Sequence, residues 1–178
     1  MDVRAYDDGD REGLVALVQA VAALGGAVGF LAVPTPEEVD AWREALHADL
    51  LVAVDGTVLG CGALKEHANP VMARMAEITK VMTHPDARGQ GVGEALMTAL
   101  VETARSWGKE LLTLECRGNN HVAQRLYVRS GFTVTGRRPD AIAVGDDRFD
   151  QVLMHCDLRT GTAGKRRFGS RREGLGSG

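Results

Sequence analysis

The chain has 178 residues, 25% of them charged and 44% apolar, with a formal net charge of −3 and three cysteines. That length suits one domain whose core needs no covalent staples, and Cys61, Cys116 and Cys156 lack the even count and close spacing of a disulfide framework or zinc site. No apolar run approaches the ~20 residues that cross a bilayer, and Met1-Asp2-Val3-Arg4 lacks a signal-peptide core, so a cytoplasmic protein with no membrane partner is expected. Charge is uneven. Residues 159–178 carry Arg159, Lys165, Arg166, Arg167, Arg171 and Arg172 against Glu173 alone, which gives a +5 tail on a −8 body. Its glycines, serines and missing apolar period predict a disordered, solvated tail beyond a domain at 1–158. With 4% aromatic residues and no basic stripe through the body, nucleic acid is not an expected partner.

In chain order, residues 3–6 read as a short strand and 10–24 as a helix with Leu14, Leu17, Val18 and Val21 inward. Thr35 is the expected cap of a second helix over 36–48. Strands at 51–54 and 57–65 flank Asp55-Gly56, a turn signal that predicts an antiparallel hairpin. A strand at 74–84, a helix at 91–107, an apolar strand at 111–116 and a helix at 121–130 follow, with Gly131 as its stop. Strands at 132–135 and 152–156 complete a mixed α/β order.

Between the fourth strand and third helix lies Arg88-Gly89-Gln90-Gly91-Val92-Gly93. A glycine-rich loop feeding a helix N-terminus leaves backbone N–H groups free and backs them with the positive end of the helix dipole, which suits a pyrophosphate. The run continues Gly93-Glu94-Ala95, without the Lys-Ser/Thr of a phosphate-binding P-loop, and Glu94 stands where a dinucleotide fingerprint needs its third glycine. A tight turn before a helix would use the same glycines.

Wider context adds a resemblance. Ala76 through Gly93 resembles the acetyl-CoA motif of the GNAT N-acetyltransferase superfamily, Arg/Gln-x-x-Gly-x-Gly/Ala after a strand. Asn120, Tyr127 and Ser130-Gly131-Phe132 match the family's second block in the expected order. The likeness spans residues 3–158. Within the superfamily, Gly25 to Phe30, Ala41-Trp42 through Ala48-Asp49, and Ala76-Glu77 with Lys80, Met82 and Pro85 look closest to the tabtoxin-resistance acetyltransferases, which act on a small amino-acid-like antibiotic.

The resemblance implies an α/β GNAT fold: a mixed, mostly antiparallel sheet of six to seven strands, its central parallel pair splayed, flanked by about four helices. It implies acetyl-CoA as cosubstrate and no metal. Val81, Met82 and Thr83 would then offer backbone groups to the pantetheine arm. Arg88, Gly89, Gln90, Gly91, Val92, Gly93 and Glu94 would surround the diphosphate, and Asn120 would bind the pantetheine amides. An N–H near Val81 to Met82 could also polarise the thioester carbonyl.

Acetyl transfer to an amine needs a neutral nucleophile and a proton for the departing thiolate. Tyr127, at the family position, is the candidate acid, since a phenol with an ordinary pKa near ~10 stays protonated at neutral pH; packing between helix and sheet is its alternative role. Glu77 and Glu115 are the candidate bases. Glu77 stands eleven residues before Arg88, as the base glutamate does in the histone-acetylating branch, and Glu115 matches an acid of the tabtoxin-resistance branch with one extra residue before Tyr127. By strand geometry Glu77, Thr79, Val81 and Thr83 share a face, with Glu77 ~13 Å from Val81, so its action would run through water; pairing with Lys80 or Arg74 is the competing reading.

On the acceptor side, Phe30, Trp42, His67 and Asp146 are the candidate binding residues, drawn from the 25–30 loop, the second helix, the 66–75 segment and the 140–150 loop. Asp146 reads equally as part of a polar turn beside Gly145, and His84 as structural. The expected activity is acetyl-CoA-dependent N-acetylation of a small-molecule amine, with antibiotic resistance as one setting. Acetylation of a protein N-terminus or lysine, and a non-catalytic acyl-CoA sensor, are the alternatives. Relatives that pair through their sheets make a homodimer the expected assembly.

Overall fold

A computed structural model of the chain describes residues 1–25 and 29–159. Apart from Arg159 the expected basic tail lies outside the described residues, as do Gly26, Ala27 and Val28 of the 25–30 loop. The elements are β1 (Asp2–Ala5), α1 (Arg11–Ala22), α2 (Pro36–Glu44), β2 (Asp49–Asp55), β3 (Thr57–Glu66), β4 (Met75–Thr83), α3 (Val92–Ser106), β5 (Leu111–Arg117), α4 (His121–Arg129), β6 (Thr133–Val144) and β7 (Asp147–Asp157).

Local chemistry accounts for several boundaries. Thr35 and Glu38 form a reciprocal capping box at the start of α2, with Pro36 in the first turn where its missing N–H costs nothing. Gly56 takes φ +72° at the β2–β3 turn, a conformation that its neighbours in the strands would resist. Asp10 at the start of α1 is clamped by Arg4 through two bonds of 2.7 and 2.8 Å, tying β1 to the first helix.

The seven strands form one sheet in the order β1-β2-β3-β4-β5-β7-β6, antiparallel throughout except for the β4–β5 pair. Two apolar layers cover its faces. On one, Leu14, Leu17, Val18 and Val21 of α1 and Val39 of α2 pack with Val52, Cys61, Ala63 and Met82. On the other, Met97, Leu100 and Ala104 of α3 and Tyr127 of α4 pack with Leu64, Ile78, Leu112, Leu114 and Met154. Each of these large aliphatics, fully removed from water, contributes roughly 1.5–3 kcal/mol of transfer free energy. Gly60 lets α3 come close: a Cβ there would stand 2.8 Å from the Met82 carbonyl oxygen and 2.8 Å from Val92 Cγ1.

Two features of β4 position the site. β4 and β5 pair in register only from Met75–Leu111 to Ile78–Leu114, although both strands run on, so they part beyond Ile78. Opposite β3, the ladder slips between Cys61 and Ala63, where β4 carries an extra residue and Lys80 takes φ +57°. This bulge breaks strand alternation. Val81 therefore packs on the α3 face while Met82 joins the α1–α2 face, and the shared face expected for Glu77, Thr79, Val81 and Thr83 does not exist.

The second helix ends at Glu44, short of the expected 48, and the larger departure is at the chain's end. β6 and β7 form a long hairpin over 133–157 where short strands and a loop at 140–150 were expected. Among the described residues no helix is long and apolar enough to cross a membrane.

Candidate active site

The parted strands open a cavity on each side of the gap. The first, about 510 Å³, is bordered by Phe30 and Leu31 before α2, Glu77 to Val81 of β4, Glu115 to Arg117 of β5, and Ile142 to Val144 of β6. The second, about 470 Å³, runs along the start of α3 from Val81 to Glu94 and on to α4. Val81, Asn120 and Tyr127 border both, so the cavities meet at the gap.

At the second cavity, Gly89 and Gly91 take φ +78° and +81°. The first helical bond is from Ala95 N–H to the Gly91 carbonyl, and no acceptor in the described chain takes the N–H of Gly89, Gly91, Val92 or Gly93. A fifteen-residue helix thus begins with a row of free donors at the positive end of its dipole. Arg88 lines the same space. Gly93 has a packing role too, since a Cβ would come within 2.9 Å of Leu126 Cδ2. Beyond Ile78, the β5-facing edge of β4 has no strand partner among the described residues, leaving main-chain groups of Thr79 to Thr83 for an extended ligand. These donors, the strand edge and the cavity between them fit the diphosphate and arm of a coenzyme A thioester.

Two expected members of this set have side chains with partners of their own, and of these only Glu94 borders the cavity. Gln90 lines neither cavity: its side chain donates to the Asp86 carbonyl at 2.9 Å, and its N–H points to Ala87 O at 3.4 Å. Glu94 accepts from Arg129 at 2.6 Å, and that hydrogen bond holds its carboxyl below the usual range. Arg129 itself lines the cavity, a cation that sequence reading missed because it lies far along the chain from the glycine run.

Asn120 caps α4, its side-chain oxygen accepting from Ala123 N–H at 3.2 Å, which leaves the amide N–H₂ toward the cavities it borders. Tyr127 is 6% exposed, tilted against Phe132 at 6.4 Å between ring centres. Its hydroxyl makes no hydrogen bond within the described chain, and burial raises its pKa well above the ordinary phenol value, so it remains protonated. Cys116, half-buried beside it, is likewise shifted up by burial.

The two carboxylates share the α1–α2 side of the sheet, Glu77 opposite Thr113 and Glu115 two residues further along β5. They differ in company. Glu115 is bound by Arg138 at 3.0 Å and, by a shorter contact, by the Gln151 amide. Glu77 has no ion pair among the described residues, because Arg74 pairs with Glu110 and the Lys80 ammonium lies 5.9 Å over the Trp42 ring.

Of the expected acceptor residues, Phe30 lines the first cavity and Trp42 stands behind it, their rings 6.2 Å apart. His67 and Asp146 are not at the site. His67 follows the end of β3, three residues past Leu64, which pairs with Ile78 where the gap begins, so it lies at the far end of the sheet. Asp146 is an exposed turn residue beside Gly145, whose φ of +58° closes the β6–β7 hairpin. Arg117 lines the cavity and was missed, since a single arginine ending a strand carries no motif signal. Among the described residues no cluster of His, Cys, Asp or Glu is arranged to hold a metal ion.

Residues 21–132 match the Acetyltransferase (GNAT) family, and the chain belongs to it. A Bacillus subtilis protein named as a ribosomal protein bS18-alanine N-acetyltransferase is 34% identical over 106 residues, covering 59% of this chain and 65% of that one. The L-methionine sulfoximine/L-methionine sulfone acetyltransferase of Salmonella typhimurium is 31% identical over 122 residues, covering 66% and 71%. The chain thus spans about two thirds of the length of these relatives. In structure it is similar to a phosphinothricin acetyltransferase of Sinorhizobium meliloti solved with AcCoA, at TM-score 0.77 and 22% identity over 94% of each chain. That likeness is one of fold.

Proposed function

We propose that the chain is an acetyl-CoA-dependent N-acetyltransferase acting on the amine of a small, amino-acid-like molecule, with detoxification of an antibiotic as one setting. The observation that carries this reading is the meeting of two cavities at Val81, Asn120 and Tyr127, one beside free N–H donors and the other beside an unpaired carboxylate. Acetyl-CoA supplies the acyl group as a thioester. In this reading the amides of Gly89, Gly91, Val92 and Gly93, with Arg88, hold the diphosphate, and the open edge of β4 with Asn120 holds the arm. Tyr127 keeps its proton and delivers it to the departing sulfur. Glu77, lacking a cation of its own, draws the proton from the acceptor ammonium through water, while Glu115 is committed to Arg138 and Gln151.

Walls on both sides favour a small acceptor over a polypeptide. The Phe30–Leu31 segment and the Ile142–Val144 stretch of β6 both border the first cavity, along with β4 and β5. The Salmonella relative is named for small amino-acid analogues. A thiol-release assay with acetyl-CoA against panels of small amines and of peptides tests the reading. Release with small amines and not with peptides is expected; release only with peptides replaces it by protein acetylation, and acetyl-CoA binding without release by any acceptor replaces it by a sensor role.

A further inference from the structure

Four charged side chains line the acceptor cavity, and their internal partners leave a distinct residue of charge. Glu115 is neutralised by Arg138. Glu77 is free, and so are two cations, Lys80 and Arg117, neither of which has a carboxylate within ion-pair distance among the described residues. A partly buried guanidinium without an anion is unusual, because desolvation is offset only when a counter-charge or a full set of acceptors is present.

Arg117 has little of either. Its guanidinium lies over the Phe149 ring at 4.9 Å, and Nη1 makes a long bond of 3.4 Å to the Gly25 carbonyl. Nε is buried with no hydrogen-bond partner among the described residues. The ring contact holds the guanidinium beside Phe149 while leaving most of its donors unspent among the described residues, the condition that suits bidentate capture of a carboxylate. Lys80 reaches the same cavity because the bulge at φ +57° turns its side chain to the α1–α2 face, over Trp42. A non-glycine residue held in the left-handed region is strain of the kind found at ligand sites.

From this arrangement we infer that the acceptor cavity contains an anion subsite, built on Arg117 with Lys80 bordering the same cavity, which takes the carboxylate of an acceptor whose amine faces Glu77. The acceptor is then a zwitterion, an α-amino acid or close analogue, rather than a simple amine or polyamine. Phe30, Leu31 and Ile142 give its side chain an apolar wall. This inference rests on the acetyltransfer reading above.

The test compares L-amino acids with the amines left when their carboxyl group is removed, using thiol release with acetyl-CoA. A charge-assisted contact of about 1.5–3 kcal/mol predicts kcat/KM for the acids about 10 to 100-fold above that of the matching amines. In Arg117→Met that ratio collapses toward one, and Arg117→Lys restores part of it. Calorimetry of an N-acetyl amino acid binding to the protein gives a readout apart from turnover, and Arg117→Met should weaken that binding by a similar factor. Equal turnover of acids and amines by the unaltered protein, or a ratio unmoved in both Arg117 variants, overturns the subsite while leaving acetyl transfer standing. Absence of both thiol release and acetyl-CoA binding overturns the two together.

Discussion

Tyr127 meets two demands at one position. Its ring is a core residue against Phe132, and its hydroxyl stands where the two cavities join. Burial favours the neutral phenol, so its proton is lost only above the ordinary value of about 10. Two results follow for a proton donor at this place. The pH–rate profile should show no alkaline limb from this residue below pH ~10. Tyr127→Phe should lower kcat by about 10²-fold or more, the scale of general acid catalysis, with acetyl-CoA affinity measured by calorimetry unchanged within a few-fold; an unaltered kcat removes the acid role. The carboxylates are separated by their partners in the same way. Glu77→Gln should cost more in kcat/KM than Glu115→Gln, and most at low pH where more of the acceptor amine is charged, whereas equal small losses would leave the base to water. None of this difference in company is legible in the sequence: the partners Arg138 and Gln151 lie 23 and 36 positions from Glu115, and the fold alone brings them together.

At the scale of elements, most of the framework follows from local chemistry. The Asp55-Gly56 turn, the Thr35 cap and the glycine loop before α3 each carry their signal within a few residues, and each forms as read. What sequence does not show is where a strand breaks its own rule. The bulge at Lys80 has no glycine or proline to announce it, and it moves Val81 and Met82 to faces opposite those of simple alternation. Likewise β6 contains Arg137-Arg138-Pro139-Asp140 and is exposed along most of its length, so no apolar period marks it as a strand; its ladder is interrupted between Arg138 and Ile142, with Asp140 at φ +52°. Tight packing between elements yields a prediction as well. Gly60→Ala puts a methyl group against the Met82 carbonyl and two side chains of α3, and should destabilise the fold by about 1–3 kcal/mol in chemical denaturation. By contrast Gly91→Ala meets open space but must hold φ +81°, so it should act mainly by turning the amide row, raising KM for acetyl-CoA more than it lowers Tm.

For the whole molecule, the Arg4–Asp10 clamp ties the first strand to the first helix and gives stability a dependence on acid. Asp10 is 7% exposed, and the Arg4 hydrogen bond holds its carboxyl below the usual range, so the stabilisation is present above the unfolded value near ~4 and is lost as pH falls through the lower folded one. Asp10→Asn should lower Tm by a few degrees at pH 7, and the gap to the parent protein should close toward pH 3; a gap that is constant with pH would assign the effect to packing. The short β4–β5 ladder has a consequence of its own. Among the described residues the strand ladder between the half-sheet β1–β4 and the half-sheet β5–β7 is only four residue pairs long, so beyond the apolar layer under α3 those halves meet like book covers on a narrow spine. Breathing about that spine should show as faster amide exchange at Leu114 to Arg117 than in β3, and a guest laid between the covers would fasten them: at a hundredfold excess over its Kd it adds about 2.7 kcal/mol to the stability of the folded form.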